Sequence, residues 1–238
     1  MTGAEIQTVD RVDTLTERTY AQLRRALMGG AFLPGQKITI RTIAAALGVS
    51  PTPARDALNR LVAERALELG ANRTVFVPKL TRARIREIYR IRLALEAMAA
   101  EAAVPHIGPD TLAELEDLQL RIVGAMDRKD YKSVLRENER FHFTVYQAAQ
   151  QPILCQIIES LWLQIGPAFN FLYPEFDQTR KGVNAHLALM NALRSRDPAA
   201  TRAAIELDLH GGEERLLRFI ESNPEAGAGK GAERGRSR

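Results

Sequence analysis

The sequence predicts a mainly α protein in two parts, an N-terminal winged helix-turn-helix and a C-terminal all-α bundle of six to seven helices. Residues 38–78 contain two helical stretches separated by a glycine turn, followed by two short runs typical of β-strands. After residue 80, apolar residues recur at intervals of three and four, and prolines separate the segments. The charge is uneven, since residues 1–80 carry 11 Lys or Arg against 7 Asp or Glu.

The first part begins with an arm and a helix. Residues 1–13 are polar, and we expect them to form a flexible arm. Thr14–Gly29 is predicted as a helix because its apolar residues share one face, and Gly29-Gly30 ends it. The turn Leu33-Pro34-Gly35 then leads into the stretch Ile38–Ile40.

The helix-turn-helix follows. Gly48 marks the tight turn between its two helices, and Ser50-Pro51 opens the second helix as an N-cap followed by a proline in the first turn. Two strands, at 67–69 and 75–77, form the wing. A unit of this kind lays its second helix in the major groove of DNA. We therefore expect residues 14–78 to be a DNA-binding domain.

Polar residues of this domain are candidates for DNA contact. The second helix exposes hydroxyl, amide and guanidinium groups, while its apolar positions can face a core. Arginine makes bidentate contacts to guanine or to phosphate, and hydroxyl side chains bind phosphates. The candidates are Arg41 in the first helix of the motif, Arg73 at the wing tip, and Ser50, Thr52, Arg55 and Asn59 around the second helix.

The second part, residues 79–221, shows helical periodicity and no run typical of a strand. Its predicted helices cover 82–103, 110–128, 131–149, 152–172, 178–195 and 198–220, with short loops between them. Residues 222–238 are rich in Gly, Ala and charge and are predicted to be a disordered tail. No apolar run approaches the roughly 18 residues that span a bilayer, so no membrane partner is expected.

Three histidines on the bundle helices are candidate metal ligands. His142, His186 and His210 each fall on a helical stripe, and Asn138 lies one turn before His142. Imidazole suits Zn, Ni, Cu or Fe, and metal sites in bundles are built from facing helices. Single inward histidines are more often hydrogen-bonded core residues, and spacing along the chain leaves both interpretations open.

Two further residues are candidates for binding a small effector. Arg92 lies in the apolar stripe of the first bundle helix, and a buried arginine needs an anionic partner. That partner is either Glu96, one turn further along, or a ligand carboxylate held in a bidentate fork. Tyr173, at the end of an aromatic cluster, can line the mouth of a pocket.

Longer motifs resemble a known family. Residues 14–78 resemble the GntR family of bacterial transcription regulators through LRRALMGGAFLPGQKIT, IAAALGVSPTPARDALNRLVAERAL and NRTVFV. Residues 82–220 resemble the FCD domain, a ligand-binding domain that follows the DNA-binding head in one branch of that family. The segments that carry this second resemblance are NERFHFTVYQAA, NAHLALMNAL and AAIELDLHGGEERL.

The resemblance implies roles for particular residues. In the GntR family, two arginines that contact operator bases match Arg41 and Arg55. Many FCD domains hold a divalent metal with one Asp and three His, beside a pocket for small organic acids. The residues at these four positions are Asn138 in place of the Asp, and His142, His186 and His210. An amide oxygen can still ligate a metal, but it is neutral.

The leading hypothesis is a ligand-responsive transcriptional regulator, a repressor in the commonest mode of the family. We expect a cytoplasmic homodimer that binds double-stranded operator DNA and senses a small carboxylate at a divalent metal such as Zn or Ni, without enzymatic activity. Two alternatives stay open. One is a metal-dependent, hydrolase-like enzyme in which the histidines hold a metal that activates water. The other is a constitutive DNA binder whose histidines are structural.

Overall fold

The N-terminal part of the chain, here called the head (residues 14–78), contains three α-helices and three short strands among the residues that the structure describes. The computed structural model describes residues 14–70, 74–172 and 181–224. In chain order the head contains α1 (Leu15–Met28), β1 (Lys37–Ile38), α2 (Ile40–Leu47), α3 (Pro51–Ala63), β2 (Glu68–Leu69) and β3 (Val75–Phe76). Helices α1 and α2 both pack against α3, which buries their apolar faces together. The predicted winged helix-turn-helix is confirmed.

Local sequence signals explain the helix boundaries of the head. Thr14 and Glu17 form a capping box, in which each side chain accepts a hydrogen bond from the backbone N–H of the other residue. Gly48 ends α2 with φ of 64°, a left-handed conformation that glycine adopts without strain. Ser50 is the N-cap of α3, but its hydroxyl makes no capping hydrogen bond and stays available for other partners.

The wing contains three strands rather than the two predicted. Strand β3 lies in the centre of the sheet and pairs antiparallel with both β1 and β2. Lys37 pairs with Phe76, and Ile38 pairs with Val75. Strand β1 has only two residues, and it forms a strand because it pairs with β3, which lies far along the chain. Its pairing ties the segment before α2 to the wing.

The second part, here called the helical domain, contains only helices and the loops between them in the range that the structure describes. Its α-helices are α4 (Arg82–Ala103), α5 (Pro109–Asp127), α6 (Tyr131–Ala148), α7 (Pro152–Ile165), α8 (Lys181–Arg194) and α9 (Pro198–Ser222). Helix α4 contacts α6, α7 and α9 and lies at the centre, while α5 packs on α6 and α8. Among the described helices, none is long and apolar enough to cross a membrane.

The helix predicted over 152–172 ends earlier than expected, at Ile165. The chain continues as a 3-10 helix, Gly166–Leu172, here called the connector. Pro167 lacks the backbone N–H that a continuing α-helix would use. Gly166 is also pressed against α1, since a Cβ at this position would lie 2.6 Å from the carbonyl oxygen of Leu27. The change of helix type therefore occurs at a contact with the head.

The connector is the part of the helical domain that contacts the head. The side-chain amide of Asn170 donates to the carbonyl oxygens of Gly30, at 2.7 Å, and Phe32, at 3.1 Å. The connector also packs on α9 of the helical domain. Beside it, Arg24 of α1 forms an ion pair with Glu159 of α7. The end of α1 is thus held by both polar and close-packed contacts.

Candidate functional site

Three side chains from three helices bring potential metal-binding atoms together inside the helical domain. His142 of α6 and His186 of α8 are each 2% exposed, and Asp208 of α9 is half-buried. The two Nε2 atoms lie 3.3 Å apart, and His142 Nε2 lies 3.3 Å from Asp208 Oδ2. All three donor atoms fall within 4.8 Å of one another. We call these three residues the donor cluster.

The spacing within the donor cluster fits a small divalent ion. Ligands held about 2.0–2.1 Å from a tetrahedral ion are separated by about 3.3–3.4 Å. Two of the separations in the cluster, each 3.3 Å, agree with that value. Two imidazoles and one carboxylate also form a donor set suited to Zn and similar metals. The residues present therefore fit the metal that the sequence predicts.

His210 does not join this cluster. The prediction that it lies on an inward stripe of its helix is wrong, because its side chain is exposed. A step of two residues turns the helix by about 200°, so Asp208 faces inward while His210 faces out. The inward stripe of α9 includes Ile205, Leu209 and Gly212. An acidic residue at position 208 of this stripe was the signal that would have identified Asp208 from the sequence.

The protonation states of the cluster suit metal binding. Burial alone would raise the pKa of Asp208, but its contact with the His142 ring, together with the nearby charge of Arg215, lowers it to about 2. Burial, with a smaller contribution from the neighbouring His142, lowers the pKa of His186 to about 3. At pH 7 Asp208 is therefore ionised and His186 is neutral. These are the forms that ligate metals.

A small cavity opens beside the cluster. Its volume is about 40 Å³, room for a few water-sized groups. Asn138 lies in its wall one turn before His142, as predicted from the spacing on α6. Phe169 and Leu172 of the connector line it from another side. The cavity is thus bounded both by the donor cluster and by the segment that holds the head.

Arg92 also lines the cavity, but its charge is already paired. Its Nε and Nη2 donate to Glu96 at 2.6 and 3.3 Å, so Glu96 is the anionic partner. The guanidinium carbon lies 4.8 Å from the ring centre of Tyr89 and 4.7 Å from that of Trp162. Among the described residues, Nη1 of Arg92 has no hydrogen-bond partner. One N–H group is therefore left for a ligand.

Arg215 of α9 is a second cavity arginine that the sequence reasoning missed. It is 8% exposed and lines the same cavity as Asp208. Its place on the inward stripe of α9, seven residues after Asp208, was the available signal. Tyr173, which was predicted to line the pocket mouth, lies outside the described residues.

The predicted DNA-contacting side chains share the surface of the head. Arg41, Ser50, Thr52, Arg55 and Asn59 are all exposed. In the part of the chain that the structure describes, neither Arg41 nor Arg55 has an ion-pair partner. Arg60 of the same helix α3, by contrast, pairs with Glu64 and covers the ring of Tyr20.

Arg73, the sixth candidate for DNA contact, lies outside the described residues. The structure therefore brings five of the six candidates to the surface around α2 and α3. Two of these five, Arg41 and Arg55, are arginines that form no ion pair with any residue that the structure describes.

Comparisons with known proteins agree with both parts. Residues 15–77 match the model of bacterial regulatory proteins of the gntR family, and residues 87–211 match the FCD domain. The chain is 34% identical over 191 residues to the HTH-type transcriptional regulator McbR of Escherichia coli K12, covering 79% of this chain and 86% of McbR. It is 24% identical to the HTH-type transcriptional repressor RspR of the same strain, covering 88% and 92% of the two chains.

A solved structure extends the similarity to the fold. The structure of E. coli McbR/YncC superimposes with a TM-score of 0.80 at 31% identity, covering 86% of this chain and 98% of that one. The FCD match alone spans more than half of the sequence. The chain therefore belongs to the gntR family of bacterial regulatory proteins, in the branch that carries an FCD domain.

Proposed function

We propose that this protein is a transcriptional regulator, in the simplest case a repressor, whose affinity for operator DNA responds to a small organic acid bound at a divalent metal. The observation that carries the proposal is the donor cluster, which opens into a cavity partly walled by the connector. A change at the cavity can therefore reach the head through one short segment.

The metal is expected to be held by His142, His186 and Asp208. When bound, such an ion supplies a positive charge and open coordination positions for an anionic ligand. Asn138 adjoins the cavity and can add a neutral amide oxygen. Asp208 supplies the negative charge that Asn138 lacks, so the set retains one carboxylate.

The cavity walls favour an effector that is small and anionic. Arg92 offers Nη1, which has no hydrogen-bond partner among the described residues, and Arg215 adds a second buried positive charge. A volume of about 40 Å³ leaves room for a carboxylate head but not for a large ligand in this conformation. We infer a short-chain carboxylate as the effector class.

DNA recognition is assigned to the exposed face of α3 with Arg41 of α2. One recognition helix reads a single half-site, and dimers of such units read two half-sites about one helical turn apart. We infer a homodimer on a near-palindromic operator. Binding of effector would favour one arrangement of the two heads and so shift operator affinity.

An enzymatic role for the same centre is less well supported. Among the described residues that line the cavity, Asp208 is the carboxylate, and it already belongs to the donor cluster. Glu137, near the site on α6, is instead paired with Arg136 and Arg140. A hydrolytic reaction would need a separate acid or base side chain.

The first experiment is a thermal-shift screen of short-chain carboxylates with zinc-loaded and chelator-treated protein. A ligand that binds only the native state raises the melting temperature. We expect zinc to stabilise the protein and at least one carboxylate to stabilise it further only when zinc is present. Hits are then tested by fluorescence anisotropy for a change in operator affinity. The sensor proposal would be rejected if zinc and all carboxylates left both melting and operator binding unchanged.

A further inference from the structure

Each histidine of the donor cluster makes a second contact on the side of its ring that faces away from the cluster. His186 Nδ1 lies 2.7 Å from Oε1 of Gln119, on α5. His142 Nδ1 lies 3.2 Å from the hydroxyl of Tyr146, on α6. We propose that Gln119 and Tyr146 are positioning residues that fix both histidines as Nδ1–H tautomers, so that both Nε2 lone pairs face a divalent cation. The proposal rests on the metal site of the proposed function.

The proton on His142 follows from the hydrogen bonds around Glu96. The two carboxylate oxygens of Glu96 accept from Arg92, from Trp162 Nε1 at 3.0 Å and from the Tyr146 hydroxyl at 2.6 Å. The hydroxyl proton of Tyr146 is therefore directed at Glu96. The Tyr146 oxygen can then only accept from His142, which places a proton on Nδ1 and leaves Nε2 with its lone pair.

The proton on His186 follows from Gln119. An amide oxygen accepts hydrogen bonds and does not donate them, so the 2.7 Å contact requires a proton on His186 Nδ1. Gln119 is itself 5% exposed, and in the described structure its Nε2 has no hydrogen-bond partner. Its contact with His186 is thus the polar interaction that accounts for an amide at this buried position.

The packing of the rings reinforces these contacts. Phe141 stacks on the His186 ring with centroids 4.0 Å apart and planes 16° apart. The His142 ring packs against Trp162, with centroids 5.5 Å apart. Neither ring can therefore turn without moving a buried aromatic neighbour. Orientation and tautomer are set together.

The two contacts have one consequence for the donor cluster. Both Nε2 atoms carry lone pairs, and the Asp208 oxygen is also an acceptor, so three electron-rich atoms face one another. Such an arrangement is stabilised by a shared cation. Outer contacts of this kind orient metal-binding histidines, and their loss typically costs about 10–100-fold in metal affinity.

The test combines zinc titration with nitrogen NMR of the histidines. Gln119→Met keeps the side-chain length but removes the acceptor, and Tyr146→Phe keeps the ring but removes the hydroxyl. Calorimetric titration with Zn²⁺ should show about 10–100-fold weaker binding in each variant. Gln119→Glu keeps an acceptor oxygen and should retain affinity. Gln147→Met, at an exposed position of α6, is the control for the substitution itself.

NMR of the metal-free wild-type protein tests the tautomers without any substitution. Long-range ¹H–¹⁵N correlations should show the Nδ1–H form for both His142 and His186, and Gln119→Met should lose it for His186. A wild-type proton on Nε2 of His186, or full zinc affinity in Gln119→Met, would overturn the proposal. If wild-type protein bound no zinc, the metal site would fail, while the NMR tautomers would still decide the roles of Gln119 and Tyr146.

Discussion

Asp208 and His210 show how two neighbouring residues of one helix have different roles. Asp208 lies in the donor cluster, whereas His210 is exposed on the other side of α9. We predict that Asp208→Ala weakens zinc binding by more than the roughly 10–100-fold typical of lost outer contacts. His210→Ala should leave zinc binding unchanged. Calorimetric titration of the two variants distinguishes them, and a loss confined to His210→Ala would restore the ligand set implied by the sequence motif.

Glu139 is a half-buried carboxyl of α6, near Glu159 of α7 and Arg25 of the head. Burial raises its pKa from 4.5 to about 7, and the nearby Glu159 adds to the shift while Arg140 and Arg25 oppose it. Because the native state holds this proton more tightly than the unfolded chain, the stabilisation is full below pH 4.5 and is lost as the pH rises through 7.

The corresponding prediction concerns Glu139→Gln, which removes the charge that burial disfavours. We expect its melting temperature to exceed that of the wild type by about 2–4 °C at pH 8, and by less at pH 5. Calorimetry at the two pH values measures this difference. Glu114→Gln, at an exposed position of α5, serves as the control. An equal shift at both pH values would show that the carboxyl does not titrate in this range.

At the level of single elements, one face of α3 packs against the core of the head, and this packing leaves the opposite face exposed. Ala54, Ala57, Leu58 and Leu61 are buried against the head core, which leaves Arg55 and Asn59 outside. Arg60 lies on the same helix but is engaged by Glu64 and Tyr20. Arg41 and Arg55, which have no ion-pair partner among the described residues, are therefore the arginines available to DNA.

We predict that Arg55→Ala costs about 1–3 kcal/mol of operator binding, because one arginine contact in the groove is lost. Fluorescence anisotropy with labelled operator DNA measures the change, and zinc affinity should not move. The matched control is Arg86→Ala, which changes an exposed arginine of the helical domain. Equal losses in the two variants would indicate a general charge effect rather than a role of α3.

At the scale of the whole molecule, the connector is the feature that relates the cavity to the head. Phe169 and Leu172 face the cavity, while Asn170 and Gly166 contact the end of α1. Gly30, which lies just after α1, packs against Leu135, and Leu135 also lines the cavity. Two cavity walls therefore touch the same end of α1.

We predict that Asn170→Ala reduces the effect of zinc on operator affinity while leaving zinc binding intact. Couplings of this kind are typically about 5–150-fold in affinity, and the variant should lose most of that factor because the amide contacts to Gly30 and Phe32 disappear. Operator titrations with and without zinc measure it, with Asn184→Ala, exposed on α8, as the control. An undiminished zinc effect would exclude Asn170 from the coupling.

The amino-acid sequence predicts most of the helices, the two wing strands and the type of the two parts of this protein. The periodicity of apolar residues, the caps and Gly48 predict the helices, because these signals act between residues a few positions apart. The motifs around Arg55 and His142 carry the resemblance to the family. The sequence did not predict strand β1 or the end of α7, because both depend on contacts with segments far away in the chain.

The side chains that form the donor cluster could be identified only from the packing of the helices. His142, His186 and Asp208 come from three helices, and their convergence depends on how these helices are rotated about their axes. Periodicity along one helix is consistent with several inward faces, so His210 and Asp208 could not be separated without the neighbouring helices. The partners Gln119 and Glu96 are likewise set by packing. Distances between helices, which no spacing along the chain contains, therefore determine the site.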